Sequence, residues 1–89
     1  MTNNITITRL SVYPLNGLEK NLVGTATISI NDAIQIVGIR IYENEKGLYC
    51  LWPGRTSGDK FYPSAKPVTE EVRLFIQNTI VEEYLKQTS

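Results

Sequence analysis

The residues best suited to bind a ligand lie in a polar segment, residues 53–66, that follows an apolar run ending at Trp52. This segment carries the cations Arg55, Lys60 and Lys66, with Tyr62 among them. Cationic side chains interleaved with aromatic rings are typical of surfaces that bind single-stranded nucleic acid, because the cations contact phosphates and the rings stack on bases. The segment is equally typical of the polar tip of a hairpin, with its aromatic residues in the core. Both interpretations remain open at this point.

The charge of the chain is balanced overall but uneven along its length. Nine basic residues offset nine acidic ones among 89 residues, so no long-range field attracts nucleic acid or an anionic membrane. Residues 46–66 contain four bases and one acid, a local balance of +3, whereas residues 67–89 contain two bases and four acids, a balance of −2. Any electrostatic binding therefore depends on this local excess.

Residue types that support catalysis are scarce. The chain has no histidine, which removes the commonest general base and the commonest metal ligand. Cys50 lies in an apolar strand pattern, which is typical of a small buried side chain and not of a reactive thiolate. The adjacent acids Glu70–Glu71 and Glu82–Glu83 diverge around a helix and do not form facing pairs. We predict a protein that is not an enzyme and that has no metal site and no cofactor.

The single cysteine also bears on the compartment, since it rules out an intramolecular disulfide. The first residues, Met-Thr-Asn-Asn, do not predict a signal peptide, and no apolar run reaches the roughly 18 residues of a membrane helix. The sequence therefore predicts a cytoplasmic protein without membrane contact.

The pattern of apolar residues predicts one small α+β domain over residues 1–89. Period-two alternation and β-branched residues indicate strands, and Thr69 followed by two glutamates indicates a helix start. Gly38, next to a change of parity, indicates a bulge. The predicted elements are strands at about 5–13, 22–30, 34–42 and 48–52, a short extended segment at 60–63, and a helix at about 69–86. Together they predict a small antiparallel sheet, built mostly of hairpins, with one C-terminal helix.

The predicted helix has apolar residues on two sides. One stripe, expected to face the sheet, consists of Val72, Ile76, Ile80 and Tyr84, with Phe75 at its edge. The second stripe consists of Leu74, Val81 and Leu85. Because so small a domain gains from burying further apolar surface, this second stripe predicts a homodimer interface. Scattered exposed apolar residues are the alternative explanation.

The segment ATISINDAIQIVGIRIYENEKGLYCLWP, residues 26–53, resembles the central part of the SpoVG (stage V sporulation protein G, septation regulator) family without a gap. Its landmarks are Ala26, Ile28, Ile39-Arg40-Ile41, Gly47-Leu48-Tyr49 and Pro53. Further matches are Arg55-Thr56, Phe61, Ala65, Pro67 and Glu83-Tyr84. The resemblance extends over about residues 5–86.

This resemblance implies a dimeric α+β regulator of septum formation or sporulation in the bacterial cytoplasm, with DNA or RNA as a ligand. It adds Thr56, beside Arg55, to the candidate nucleic-acid-binding residues, and Lys66 stands where the family has histidine. The segment after Pro53 is one residue shorter and one base poorer than the family pattern, which lowers positive charge where phosphates would bind. The alternative function is a protein-interaction module of the division or regulatory machinery without nucleic-acid affinity.

Overall fold

A computed structural model describes residues 5–15 and 21–88 of the chain. Over these ranges the chain forms strands β1 (Ile7–Pro14), β2 (Leu22–Ile30), β3 (Ile34–Asn44), β4 (Gly47–Leu51), β5 (Gly54–Ser57) and β6 (Lys60–Pro63), followed by helix α1 (Glu70–Thr88). Strands β1 to β4 form an antiparallel sheet in sequence order, and β5 pairs with β6 in a separate hairpin. The predicted α+β class, an antiparallel sheet with one C-terminal helix, is confirmed.

The connection between β2 and β3 shows how local chemistry fixes the sheet. Asn31 and Asp32 both have positive φ (54° and 52°), as a type I′ turn requires, and the Ala33 N–H donates to the Ile30 carbonyl at 2.9 Å. In β3, Gly38 has φ of 86° at the register shift where Ala26 pairs with Ile39 but Ile28 pairs with Ile36. The bulge predicted at Gly38 is confirmed, and a non-glycine side chain would be strained there.

The hydrophobic core lies between one face of the four-stranded sheet and α1. Ile76 and Ile80 of the helix are buried against Val12, Ala26, Ile28, Ile39, Ile41 and Cys50 of the four strands. Val72 and Tyr84 pack on the edge of this cluster, so the stripe predicted to face the sheet does so, whereas Phe75 is exposed. In the described ranges, no helix is both long and apolar enough to cross a membrane.

The start of α1 follows the predicted capping chemistry. The Thr69 hydroxyl oxygen accepts a hydrogen bond from the Val72 N–H at 3.2 Å, which satisfies one of the free donors of the first turn. Glu70 and Glu71 lie in that turn and Lys86 lies in the last one, as the helix dipole favours. The helix extends to Thr88, two residues beyond the prediction, which is within the usual fraying of a helix end.

Residues 54–57 were not predicted to form a strand. They form β5, an antiparallel partner of β6. The four residues Gly-Arg-Thr-Ser do not alternate apolar and polar residues, so their sequence does not indicate a strand. Their extended structure depends on hydrogen bonding to β6. The segment after Pro53 is therefore a two-stranded ribbon and not a loose loop.

Candidate nucleic-acid interface

The β5–β6 hairpin is shaped by two glycines. Gly58, with φ of 64°, begins the two-residue connection Gly58–Asp59, as in a type II′ turn. A Cβ added at Gly54 would lie 2.6 Å from Phe61 Cζ and 2.5 Å from the Tyr62 carbonyl oxygen, so the Phe61 ring closes over the glycine backbone. At the base, the Ser64 N–H donates to the Pro53 carbonyl at 2.8 Å. The hairpin thus has a defined shape although all its residues are exposed.

The register of the hairpin sorts the candidate residues onto two faces. Arg55 pairs with Tyr62 and Ser57 pairs with Lys60, so these four side chains share one face, called here the basic face. Thr56 pairs with Phe61 on the opposite face. Three of the five candidate residues therefore lie together, and Thr56 does not lie with them.

Within the described residues, the cations of the basic face are not neutralised by nearby acidic side chains. In the part of the chain that the structure describes, neither Arg55 nor Lys60 forms an ion pair; Asp59, the acid nearest in sequence, lies at the hairpin tip. On the helix, by contrast, Arg73 forms an ion pair with Glu70, and its hydrogen bonds lower the pKa of the Glu70 carboxyl. The cations of the hairpin are thus available for phosphate contacts, and Tyr62, 49% exposed, lies beside Arg55.

Lys66 lies apart from this face. It follows the hairpin and lines the rim of a groove of about 270 Å³ whose walls are mainly apolar, among them Ile36, Trp52 and Val72. It also lines an open groove of about 600 Å³ on the side of Ile34 and Val37. Lys66 therefore adds positive charge near the base of the hairpin but does not extend its basic face.

The second apolar stripe of α1 lies away from the sheet, as predicted. Leu74 and Leu85 are exposed and Val81 is half-buried. Their positions leave them accessible to another molecule, so they remain candidates for a dimer interface.

Cys50 is buried in the core, as its sequence context predicts. Burial raises the pKa of its thiol from 9.0 to about 11, because the thiolate would lose hydration. The thiol is therefore protonated at neutral pH, which makes it a poor nucleophile. Across the described residues, no three His, Cys, Asp or Glu side chains are grouped so that they could hold a metal ion.

The sheet face that does not contact α1, called here the open face, was not recognised from the sequence as a surface. Its side chains include Arg9, Ser11 and Tyr13 of β1, Thr25, Thr27 and Ser29 of β2, Gln35, Arg40 and Tyr42 of β3, and Tyr49 and Leu51 of β4. The alternation that places Ile39 and Ile41 in the core could have revealed it, because Arg40 and Tyr42 must then lie on the other side. The rings of Tyr42 and Tyr49 stack with centroids 5.8 Å apart.

Comparison with known proteins gives a consistent result. The SpoVG family model matches residues 5–86. A protein of Phytoplasma australiense named "Putative septation protein SpoVG" is 35% identical over 79 residues, covering 88% of this chain and 81% of its own. A protein of Finegoldia magna with the same name is 31% identical over 88 residues, covering 93% of this chain and 81% of its own. The family match spans nearly the whole sheet and helix, and the chain belongs to the SpoVG family.

Proposed function

We propose that this protein is a non-enzymatic, cytoplasmic regulator of septation that binds DNA or RNA through the basic face of its β5–β6 hairpin. The septation role is supported by the name that its relatives share. The binding role is supported by one observation above all: Arg55, Lys60 and Tyr62 lie on one side of an exposed ribbon, and neither cation has an ionic partner within the described residues.

The shape of the hairpin supports a nucleic-acid ligand. The major groove of B-DNA, about 12 Å wide, admits a two-stranded β-ribbon, and phosphates on either side lie within reach of cations on its face. A ribbon is equally able to contact the backbone of a single strand, where an aromatic residue such as Tyr62 stacks on a base. Because the proposal assigns Arg55 and Lys60 to phosphates, we expect affinity that depends on salt more than on sequence.

The test is fluorescence anisotropy with labelled single-stranded and duplex DNA and RNA across a salt series. The double variant Arg55→Ala, Lys60→Ala should weaken binding to all sequences alike and should reduce the slope of log K against log salt by about 1.8 on duplex, or about 0.9 for each phosphate contact removed. The control variant Lys46→Ala, Lys86→Ala removes the same charge from a turn and from the end of α1. It should bind like the natural protein.

Three results would contradict the proposal. Flat titrations at low salt would exclude nucleic acid as the ligand, and equal losses in both double variants would show that total charge, and not the hairpin, governs binding. Retained affinity in the hairpin variant alone would remove Arg55 and Lys60 from the interface.

The second candidate function is a protein-interaction module, favoured by the exposed Leu74 and Leu85 on the outer side of α1. In that case a protein of the division machinery would bind the helix and nucleic acid would not bind at all. Substituting both leucines with glutamate would then abolish recovery of that partner, whereas the hairpin variant would leave it unchanged.

A further inference from the structure

We propose that the open face of the four-stranded sheet is a second nucleic-acid surface, selective for single strands, that holds two or three unpaired nucleotides between Arg40 and Arg9. The inference deepens the proposed function, since it assumes a nucleic-acid ligand, but it concerns a surface that shares no residue with the hairpin.

The charge of the open face is the first argument. Arg9 and Arg40 are its charged side chains among the described residues, and neither forms an ion pair there. Two acids lie in the flanking turns: Asp32 lines a groove together with Arg9 and Ser29 at the edge of this face, and Glu45 lies in the turn between β3 and β4. With two arginines on it and one carboxylate at its edge, this face has a net positive charge, which favours an anionic partner.

The arrangement of aromatic residues is the second argument. Tyr13 of β1 is 55% exposed and pairs with Thr25, which in turn pairs with Arg40 of β3. One step further along the strands, Tyr42 and Tyr49 form their stacked pair next to Arg40, and Tyr13 lies two strands away in the same row as Arg40. Tyrosine rings beside an arginine on a sheet offer stacking surfaces for bases and a cation for the phosphate between them.

The spacing of the two arginines suits a short single strand. Arg9 pairs with Ser29 and Arg40 pairs with Thr25, so they are separated by four residues along the strands and by two strands across the sheet. This places their Cα atoms roughly 16 Å apart. Between them lies a row of hydroxyl groups on β2, from Thr25 to Ser29, which can donate to phosphate or sugar oxygens. Four-stranded sheets that bind RNA stack two or three bases on their aromatic side chains.

Other occupants fit less well. A four-stranded sheet is about 14 Å wide between its outer strands before side chains are added. Because the major groove of duplex DNA is about 12 Å wide, it can admit the hairpin but not this face of the sheet. A second copy of the same face would bring four arginines together, offset by one Asp32 at the edge of each face. An acidic protein segment would satisfy the arginines but would leave the stacking capacity of the three tyrosines unused.

The test compares two double variants on two probes, labelled dT12 and a 12-base-pair duplex, by anisotropy across a salt series. Arg9→Gln, Arg40→Gln should reduce the salt slope on dT12 by about 1.4, which is about 0.7 per single-strand phosphate contact, and should leave duplex binding within about twofold. Lys46→Gln, Lys86→Gln, with the same loss of charge, should change neither probe. Tyr13→Ala, at an exposed edge-strand position, should weaken dT12 binding fivefold or more through lost stacking.

A cross-linking experiment on the unaltered protein avoids any effect of the substitutions on folding. Ultraviolet cross-linking of a dT12 probe containing 5-iodouracil, followed by mass spectrometry, should modify peptides carrying Tyr13, Tyr42 or Tyr49. Cross-links confined to Tyr62 would overturn the inference and leave the hairpin proposal intact.

The outcomes of the two tests separate the two proposals. If the open-face variant loses dT12 binding while Arg55→Ala, Lys60→Ala has no effect, the result would support the open face as the nucleic-acid surface and would exclude the hairpin as one. Unchanged dT12 binding in the open-face variant, or competition by poly-L-glutamate as strong as that by dT12, would overturn the open face as a nucleic-acid surface. No binding to either probe would overturn both proposals.

Discussion

The side chain of Gln77 accepts a hydrogen bond from the backbone N–H of Cys50 at 3.1 Å. Cys50 lies in β4, which is an edge strand of the sheet. Gln77 lies on α1, next in sequence to the buried Ile76. A donor on an edge strand is otherwise free to pair with another chain. The helix therefore does two things at β4: it covers the core side of Cys50 and it occupies a backbone donor at the edge.

This contact predicts the effect of substituting Gln77. Gln77→Ala leaves the partly buried Cys50 N–H without its acceptor, and we expect a loss of about 1–2 kcal/mol in the free energy of unfolding measured in urea. Helix propensity does not explain such a loss, because alanine is the better helix former. The neighbouring Asn78→Ala, at an exposed position, serves as the control and should be close to neutral. A loss below about 0.3 kcal/mol for Gln77→Ala would show that the hydrogen bond contributes nothing.

The buried thiol predicts a dependence of stability on alkaline pH. Burial raises the pKa of Cys50 from 9.0 to about 11, so above pH 9 the unfolded chain loses this proton while the folded protein keeps it. The unfolded state then binds fewer protons, and the free energy of unfolding falls as pH rises from about 9 to 11, by up to about 1.4 kcal/mol per pH unit. Below pH 9 this contribution is constant.

The measurement is a difference between the natural protein and a variant without the thiol, so that contributions from other groups cancel. The free energy of unfolding in urea should be measured against pH for the natural protein and for Cys50→Ala. Above pH 9 it should fall more steeply in the natural protein, which has the thiol. Parallel slopes would contradict a raised pKa. A thiol reagent at pH 8 should likewise react slowly with the folded protein and rapidly in urea.

The sequence predicted the sheet and helix because their signals are local. Ile76 and Ile80 repeat at helical spacing, and Asn31-Asp32 has the chemistry of a tight turn, so both features could be read without knowledge of distant contacts. The strand β5 was missed because Gly54 to Ser57 carry no alternation, and it forms by pairing with β6, where Phe61 closes over Gly54 across the hairpin. That contact belongs to the pair of strands and not to either segment.

The surfaces were harder to predict than the core, for a related reason. Arg55, Lys60 and Tyr62 could be singled out by residue type, but their common face follows from pairing across the Gly58–Asp59 turn. Arg9 and Arg40 lie far apart in sequence, and the bulge at Gly38 shifts the parity of β3 between them. Only the assembled sheet shows that both arginines lie on the side away from α1.

The close approach at Gly54 predicts that a substitution there disrupts the hairpin and weakens duplex binding without unfolding the core. Gly54→Ala would place a Cβ within about 2.7 Å of Phe61, Tyr62 and Pro63, two of these contacts being with backbone atoms that cannot move without opening the hairpin. We expect chemical shifts of residues 54–63 to change while those of the core, such as Ile28, stay in place, and we expect duplex binding to fall. Ser57→Ala, on the same strand, is the control. Unaltered hairpin signals in Gly54→Ala would contradict this packing.

The outer side of α1 predicts the oligomeric state. Leu74, Val81 and Leu85 were assigned to a dimer interface because a small domain gains from covering them, and we expect light scattering to give about twice the chain mass of 10.1 kDa. Leu74→Glu, Leu85→Glu should yield a monomer, since an apolar interface does not accept two unpaired carboxylates. The control is Ile34→Glu, Val37→Glu, which charges another exposed apolar site at the far end of the sheet. A monomer in the control and a dimer in the helix variant would move the interface to the β2–β3 end, beside the groove that Lys66 borders.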